Sequence, residues 1–436
     1  MINKLKLLAV FSVLVLICGC SQNESIPADT YAETTVISTV STVSAKAETS
    51  PLPETEAPTL PETEPKVVQP AAREVTNSAE FWLELVNITG KMSDRNHLTR
   101  VDFRSGRTLK LTSQEPFGAV YMMWDTIPGH YTMAWDGGSL ECGQNGFLHE
   151  YIPLPEEVTS VTLSFHEPTH IYLSEIRLYT TGSTPEDVQI WLPPCEQADV
   201  LVFPTHSDDD TLFFGALISD CVIERNLTVQ TAFMVEHAWK ERGHERLNGL
   251  WEMGIRHYPI LGTMEDSGTH SMETVANLHK KDDLKGWQVT QIRRFRPLVI
   301  VGHDLDGEYG NGQHKLNAHY LTDSIRIAQD PDQYPETVQQ YGTWETPKLY
   351  LHLYEENAII LDVNTPMQND LYGRTPFEVA EDAYAHHVSQ HQFPFYVSQD
   401  DYESGMDCKR FGLYHSSVGD DTTADIMENI DRNRWR

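Results

Sequence analysis

Beyond Cys195 the chain alternates short apolar runs with longer helical segments, and no other feature narrows its architecture so far. Ala198-Asp-Val-Leu-Val-Phe203 is followed by a helical stretch from Leu212 to Glu224, then Thr228-Val-Gln-Thr-Ala-Phe-Met234, then Arg242 to Gly254. Strand, helix, strand, helix implies right-handed crossovers and a mostly parallel sheet with helices on both faces. The fold expected for residues 196–436 is therefore α/β and Rossmann-like. Such a sheet places its loops, and hence its chemistry, at the carboxyl ends of the strands.

The preceding stretch has a different texture. Residues 77–192 contain brief apolar or alternating runs, among them Thr108-Leu-Lys-Leu-Thr112, Ala119-Val-Tyr-Met-Met-Trp124 and Val161-Thr-Leu-Ser-Phe165, separated by Gly, Pro and Asp. That pattern predicts an all-β sandwich. Its arrangement loosely resembles jelly-roll carbohydrate-binding modules. Trp124, Tyr131 and Trp135 suit either a core or a sugar-stacking surface, and core packing is the expected use.

The first 76 residues carry no core. Lys4 and Lys6 precede an apolar run from Leu7 to Ile17, too short to span a bilayer comfortably, so residues 1–20 are expected to be a signal peptide. The run ends in Ile17-Cys18-Gly19-Cys20, which resembles a bacterial lipobox and makes Cys20 the candidate lipid anchor of an exported, cell-surface lipoprotein. Residues 21–76 are rich in Pro, Thr and Glu and read as an extended, disordered tether between membrane and folded chain. With 64 acidic against 32 basic residues the formal net charge is -32, which repels nucleic-acid phosphates and leaves nucleic acid an unsuitable partner. Cys142, Cys195, Cys221 and Cys408 show no C-x-x-C spacing, so a cysteine-bound metal is not expected.

Histidine and aspartate carry the chemistry instead. The first α/β strand runs into Pro204-Thr-His-Ser-Asp-Asp-Asp210, and a second, Pro297-Leu-Val-Ile-Val-Gly302, runs into His303-Asp-Leu-Asp-Gly-Glu-Tyr-Gly-Asn-Gly-Gln-His314. His206 and Asp209, three residues apart at the start of a helix, can aim an imidazole and a carboxylate at one point, and His314 can supply a third ligand. Two histidines and a carboxylate leave a Zn2+ ion with open positions for water and a substrate carbonyl. Asp210, paired with Ser207, reads as a helix cap. His303, His319, Asp304 and Asp306 remain alternative ligands.

Here the sequence resembles the PIG-L or LmbE-like zinc-dependent N-acetylglucosamine deacetylases. Their His-Pro-Asp-Asp-Glu motif is similar to His206-Ser-Asp-Asp-Asp210, and further elements correspond to Gly307-Glu-Tyr-Gly-Asn-Gly-Gln-His314, Arg242-Gly-His-Glu245 and His387-Val-Ser-Gln390. The resemblance covers roughly residues 197–420 and implies removal of acetyl groups from N-acetylated amino sugars. It assigns zinc to His206, Asp209 and His314, the general base to Asp208, and substrate contact to Arg242, for which an ion pair with Glu245 is the structural alternative. Tyr309 is the candidate oxyanion donor and Asp266 a candidate contact for a sugar hydroxyl. Ser207 and Asp210 depart from the family's proline and glutamate. Asn311 stands where many members have a histidine, and an asparagine donates a hydrogen bond but cannot give up a proton. Two other readings are a metal-dependent esterase and a glycan-binding lipoprotein with weak or lost turnover.

Overall fold

The computed structural model describes residues 70–435 apart from 105, 167–169, 238 and 280. The expected signal peptide, the lipid-anchor candidate Cys20 and nearly all of the tether lie outside the described residues. Two sheets make up a mixed α/β architecture within one compact unit. Among the described residues no helix is long and apolar enough to cross a membrane.

The first sheet holds β1 (Ala79–Leu83), β2 (Val86–Asn87), β3 (Val101–Arg104), β4 (Thr108–Trp124), β5 (Tyr131–Trp135), β6 (Gly138–Cys142), β7 (His149–Phe165) and β8 (His170–Tyr179). All its pairings are antiparallel, in the order β2-β1-β4-β7-β5-β6, with β8 joining β3 to β4. These eight strands belong to one continuous hydrogen-bonded sheet. The first half of β4 pairs with β1 and its second half with β8, while β7 follows β4 along both halves. Alternation points Ala79, Phe81 and Leu83 of β1 inward. Trp124 and Tyr131 are fully buried in this core, as expected, whereas Trp135 is only partly covered. Residues before 77 also join this layer, since Val75 N–H donates to the Leu178 carbonyl of β8.

The second sheet contains β9 (Val200–Val202), β10 (Val229–Glu236), β11 (Ile260–Glu265), β12 (Val299–Gly302), β13 (Lys348–His352), β14 (Ala358–Ile360) and β15 (Arg410–Ser416). The order is β11-β10-β9-β12-β13-β15-β14, parallel from β11 to β13 and antiparallel thereafter. β9, β12 and β13 are buried along their whole length, as parallel strands covered on both faces must be. Val200, Val202, Val299 and Val301 pack into one core, and Leu201, Ile300, Leu349 and Leu351 into the opposite one. The chain winds outward in both directions from the adjacent pair β9 and β12, so the crevice of this sheet opens where those two strands end. The helix expected over Leu212 to Glu224 is broken into short segments, Asp209–Leu212 and Gly215–Ser219 among them.

Candidate metal centre

His206 and His303 follow β9 and β12, and these neighbouring strands bring the two sequence motifs together. The helix Gly312–Ile327 supplies His314. Asn311 caps it, its side-chain carbonyl accepting the N–H groups of Gln313 and His314 at 2.8 and 3.3 Å. Asn317 ties this helix to the end of β9, donating to the Phe203 carbonyl and the Thr205 hydroxyl. Gly307, at φ 67°, makes the turn that brings Glu308 beneath the imidazoles; a Cβ there would meet the Asn311 carbonyl at 2.5 Å.

Three atoms converge. His206 Nδ1 lies 3.0 Å from His314 Nε2, and Asp209 Oδ2 lies 3.3 Å from each. The surrounding hydrogen bonds show which ring nitrogens carry protons. His314 Nδ1 faces Glu308 Oε2 at 2.8 Å and must donate to it, leaving Nε2 with a lone pair. His206 Nε2 faces Gln313 Oε1 at 3.1 Å; that atom is the oxygen because it also accepts Ser267 N–H, so His206 turns the lone pair of Nδ1 inward. The third atom is a carboxylate oxygen held by the N–H groups of Thr205 and His206. Three lone pairs thus face one another without a proton to share. Ligand bonds of about 2.0–2.1 Å at a tetrahedral angle place ligand atoms about 3.3 Å apart, so the set fits a small divalent cation.

His303 is not part of the set. Its Nδ1 bonds Glu308 at 2.8 Å, and its Nε2 accepts Thr205 N–H at 2.9 Å, which leaves no lone pair free. His319 and Asp306 are exposed and Asp304 is half-buried, so none replaces a member of the trio. Glu308 and His352 carried no distinguishing signal in the sequence. Glu308 accepts from His303, His314 and His352, and His352 continues to the Asp407 carbonyl at 2.7 Å. Burial opposes the charge of Glu308, but the three imidazoles prevail and hold its carboxyl well below the usual range.

Asp208 is buried beside the trio and accepts from Arg242 Nη2 at 2.8 Å. Burial, with Asp209's charge adding to it, raises this carboxyl above its ordinary pKa despite the guanidinium. The alternative ion pair of Arg242 with Glu245 does not form. Glu245 instead binds the backbone and hydroxyl of Ser389, which fastens His387-Val-Ser-Gln390 to the helix Glu241–Glu252. The capping role read for Asp210 is also absent. Its two oxygens are buried and have no partner among the described residues, and Ser207 Oγ accepts from Arg246 at 2.7 Å. Asp266 faces the solvent side but is engaged by His237, whose Nε2 accepts Ser207 N–H and whose Nδ1 lies 3.2 Å from the carboxylate. Burial lowers the His237 pKa to about 4.

A cleft of about 690 Å³ opens over His206 and Asp208, and Arg242, Asp266, Tyr309 and Asn311 all line it. Tyr309 holds φ 44°, a left-handed conformation costly for a bulky residue and found where a site over-determines its backbone. Burial and the charges of Asp209, Asp208 and Glu308 push its phenol far up, so the hydroxyl keeps its proton. The four described cysteines are buried free thiols.

A buried two-histidine, one-carboxylate set beside a second carboxylate held by an arginine, at the carboxyl edge of a largely parallel sheet, defines the class of an α/β protein with a site that could hold a metal ion. A 1D-myo-inositol 2-acetamido-2-deoxy-alpha-D-glucopyranoside deacetylase of Rhodococcus erythropolis is 27% identical over 187 residues, covering 37% of this chain and 62% of the relative. An enzyme of the same name, numbered 1, from Frankia casuarinae is 31% identical over 136 residues, covering 29% and 42%. The chain is thus a relative of the PIG-L/LmbE-like deacetylases, as its motifs imply, and it spans less than two thirds of the length of these curated relatives. Among solved structures, an N,N'-diacetylchitobiose deacetylase from Pyrococcus horikoshii has 17% identity and a TM-score of 0.35, covering 46% of this chain and 73% of that one. No family profile matches the chain.

Proposed function

We propose that this protein is a zinc-dependent deacetylase that hydrolyses the acetamide of an N-acetylated amino sugar in a glycan or glycoconjugate. The observation that carries this reading is the meeting of three inward lone pairs, from His206, Asp209 and His314, within 3.3 Å of one another beside buried Asp208. Zinc held there would supply Lewis acidity, activating water and polarising the acetyl carbonyl.

The chain's own groups do the rest. Asp208, its pKa raised by burial, takes the proton of the attacking water, and Arg242 orients it through the 2.8 Å hydrogen bond. Tyr309, protonated throughout, donates to the oxygen on which charge develops. Asn311 spends its carbonyl on capping the His314 helix, so we assign it positioning of that ligand. With no histidine at position 311, Asp208 returns its proton to the leaving amine. Export and lipidation at Cys20 belong to the same proposal, since they would set the enzyme against glycans outside the cell; loss of lipid labelling in Cys20→Ser checks that part.

The test is acetate release from a panel of N-acetylated and O-acetylated sugars. The reading expects release from acetamides that a chelator abolishes, and a fall of at least about 100-fold in Asp208→Ala. A metal-loaded protein active on acetyl esters alone, or on neither class, contradicts it.

A further inference from the structure

The cleft over Asp208 does not end at the α/β layer. His237 and Trp239, which form part of its wall, also line a second cavity of about 230 Å³, whose opposite side is built from Thr126, Ile127, Gly146 and Leu148 of the β layer. Two features of this second cavity call for an occupant. Arg246 lines it and is only 4% exposed; it bonds Ser207 Oγ, but its Nε–H has no partner among the described residues. Trp239 and Ile127, 55% and 56% exposed, leave two large apolar side chains open on the walls of the same space. Trp239 stands where the two cavities adjoin, and an open indole suits the apolar face of a pyranose ring.

The charges narrow the ligand further. Arg246 and Lys240 line the cavity together with Glu236 and Asp125, two cations against two carboxylates. Such a balance does not select an anion. It suits a neutral group rich in hydroxyl and carbonyl oxygens, and the volume suits one sugar residue.

We infer that this cavity holds the neighbouring sugar of an N-acetylated oligosaccharide while the residue to be deacetylated lies over Asp208, so that the β layer completes the substrate groove. The inference rests on the deacetylase reading for the identity of the chain bound. Binding energy from the second sugar then assists the reaction at the first.

The test compares N-acetylglucosamine with its β-1,4-linked dimer and trimer, using the full-length, metal-loaded protein. The expected result is a kcat/KM for the trimer at least about 10-fold above that for the monomer, with Ile127→Arg removing most of that gain and leaving the monomer value within about twofold. Ile127 is exposed, so the substitution spares the core. Calorimetry on Asp208→Asn, with and without Ile127→Arg, reads trimer binding independently of turnover. Equal kcat/KM for monomer and trimer, or a gain that survives Ile127→Arg, overturns the groove while the deacetylase reading stands. Absence of acetate from all three sugars and from the wider panel of N-acetylated sugars overturns that reading instead. Trimer affinity then decides the groove: sensitivity to Ile127→Arg upholds it, and indifference ends it.

Discussion

Two regions of this molecule bury clusters of histidine beside aspartate, and they do opposite things with them. Around His206 and His314 the outward ring nitrogens are occupied by Gln313 and Glu308, so the remaining lone pairs turn inward towards Asp209. Between the two sheets, His149 and His244 are joined nose to tail. Asp125 Oδ1 meets His244 Nε2 at 2.8 Å, His244 Nδ1 meets His149 Nε2 at 2.8 Å, and His149 Nδ1 meets Gln189 Oε1 at 2.7 Å. Every ring nitrogen in that line has a partner, so nothing is left to hold a cation. The residue types are nearly the same. Whether their lone pairs converge or are used up in a line separates a set that could hold a cation from a structural bolt.

That contrast can be broken from either side. The largest effect is expected for Glu308→Gln, which keeps the shape and removes the charge to which three imidazoles donate; metal affinity should fall by about 10–100-fold, read by chelator competition. Unchanged affinity would mean that the shell around His314 does not orient it. A smaller and different effect is expected for His149→Ala. Cutting the line should cost about 2–3 kcal/mol of stability by denaturant titration, with metal stoichiometry unaltered. Loss of metal there would erase the distinction between the two clusters.

The smallest effect is on pH dependence. Burial, with the charge of His244 adding to it, lowers the His97 pKa to about 4, and the same two causes push His149 well below the ordinary 6.5. Both are neutral when folded, whereas the unfolded chain takes up protons near 6.5. The stability they contribute is therefore complete above that value and is lost as pH falls towards the folded values. The melting temperature should drop by about 5 °C between about pH 7 and about pH 5, and less steeply in His149→Gln.

The trio was legible in the sequence because its members follow apolar strands, and strands adjacent in a parallel sheet deliver their loops to one edge. That rule brought the two motifs together but left His303, His319, Asp304 and Asp306 open, and the family resemblance singled out His206, Asp209 and His314. Glu308 was hidden among the acidic residues of its loop, since its meaning depends on His303 and on His352, which arrives from β13. His237 and Arg246 likewise matter through partners that local pattern does not reveal. Asn311 stood out only as a departure from the family's histidine, yet a local signal for its cap existed, because asparagine directly before a helical run is a favoured N-cap. Asp210 illustrates the reverse error. An acidic residue in the first turn suggests a cap, but only the fold reveals its carboxylate buried without a partner.

The most direct test of the account is the metal content of protein purified without added metal. Elemental analysis should find one divalent cation per chain in the wild type and none in Asp209→Ala or His314→Ala, with His149→Ala retaining its full complement. A wild type without metal that gains none on incubation with zinc, or a His314→Ala variant that keeps its ion, would contradict it.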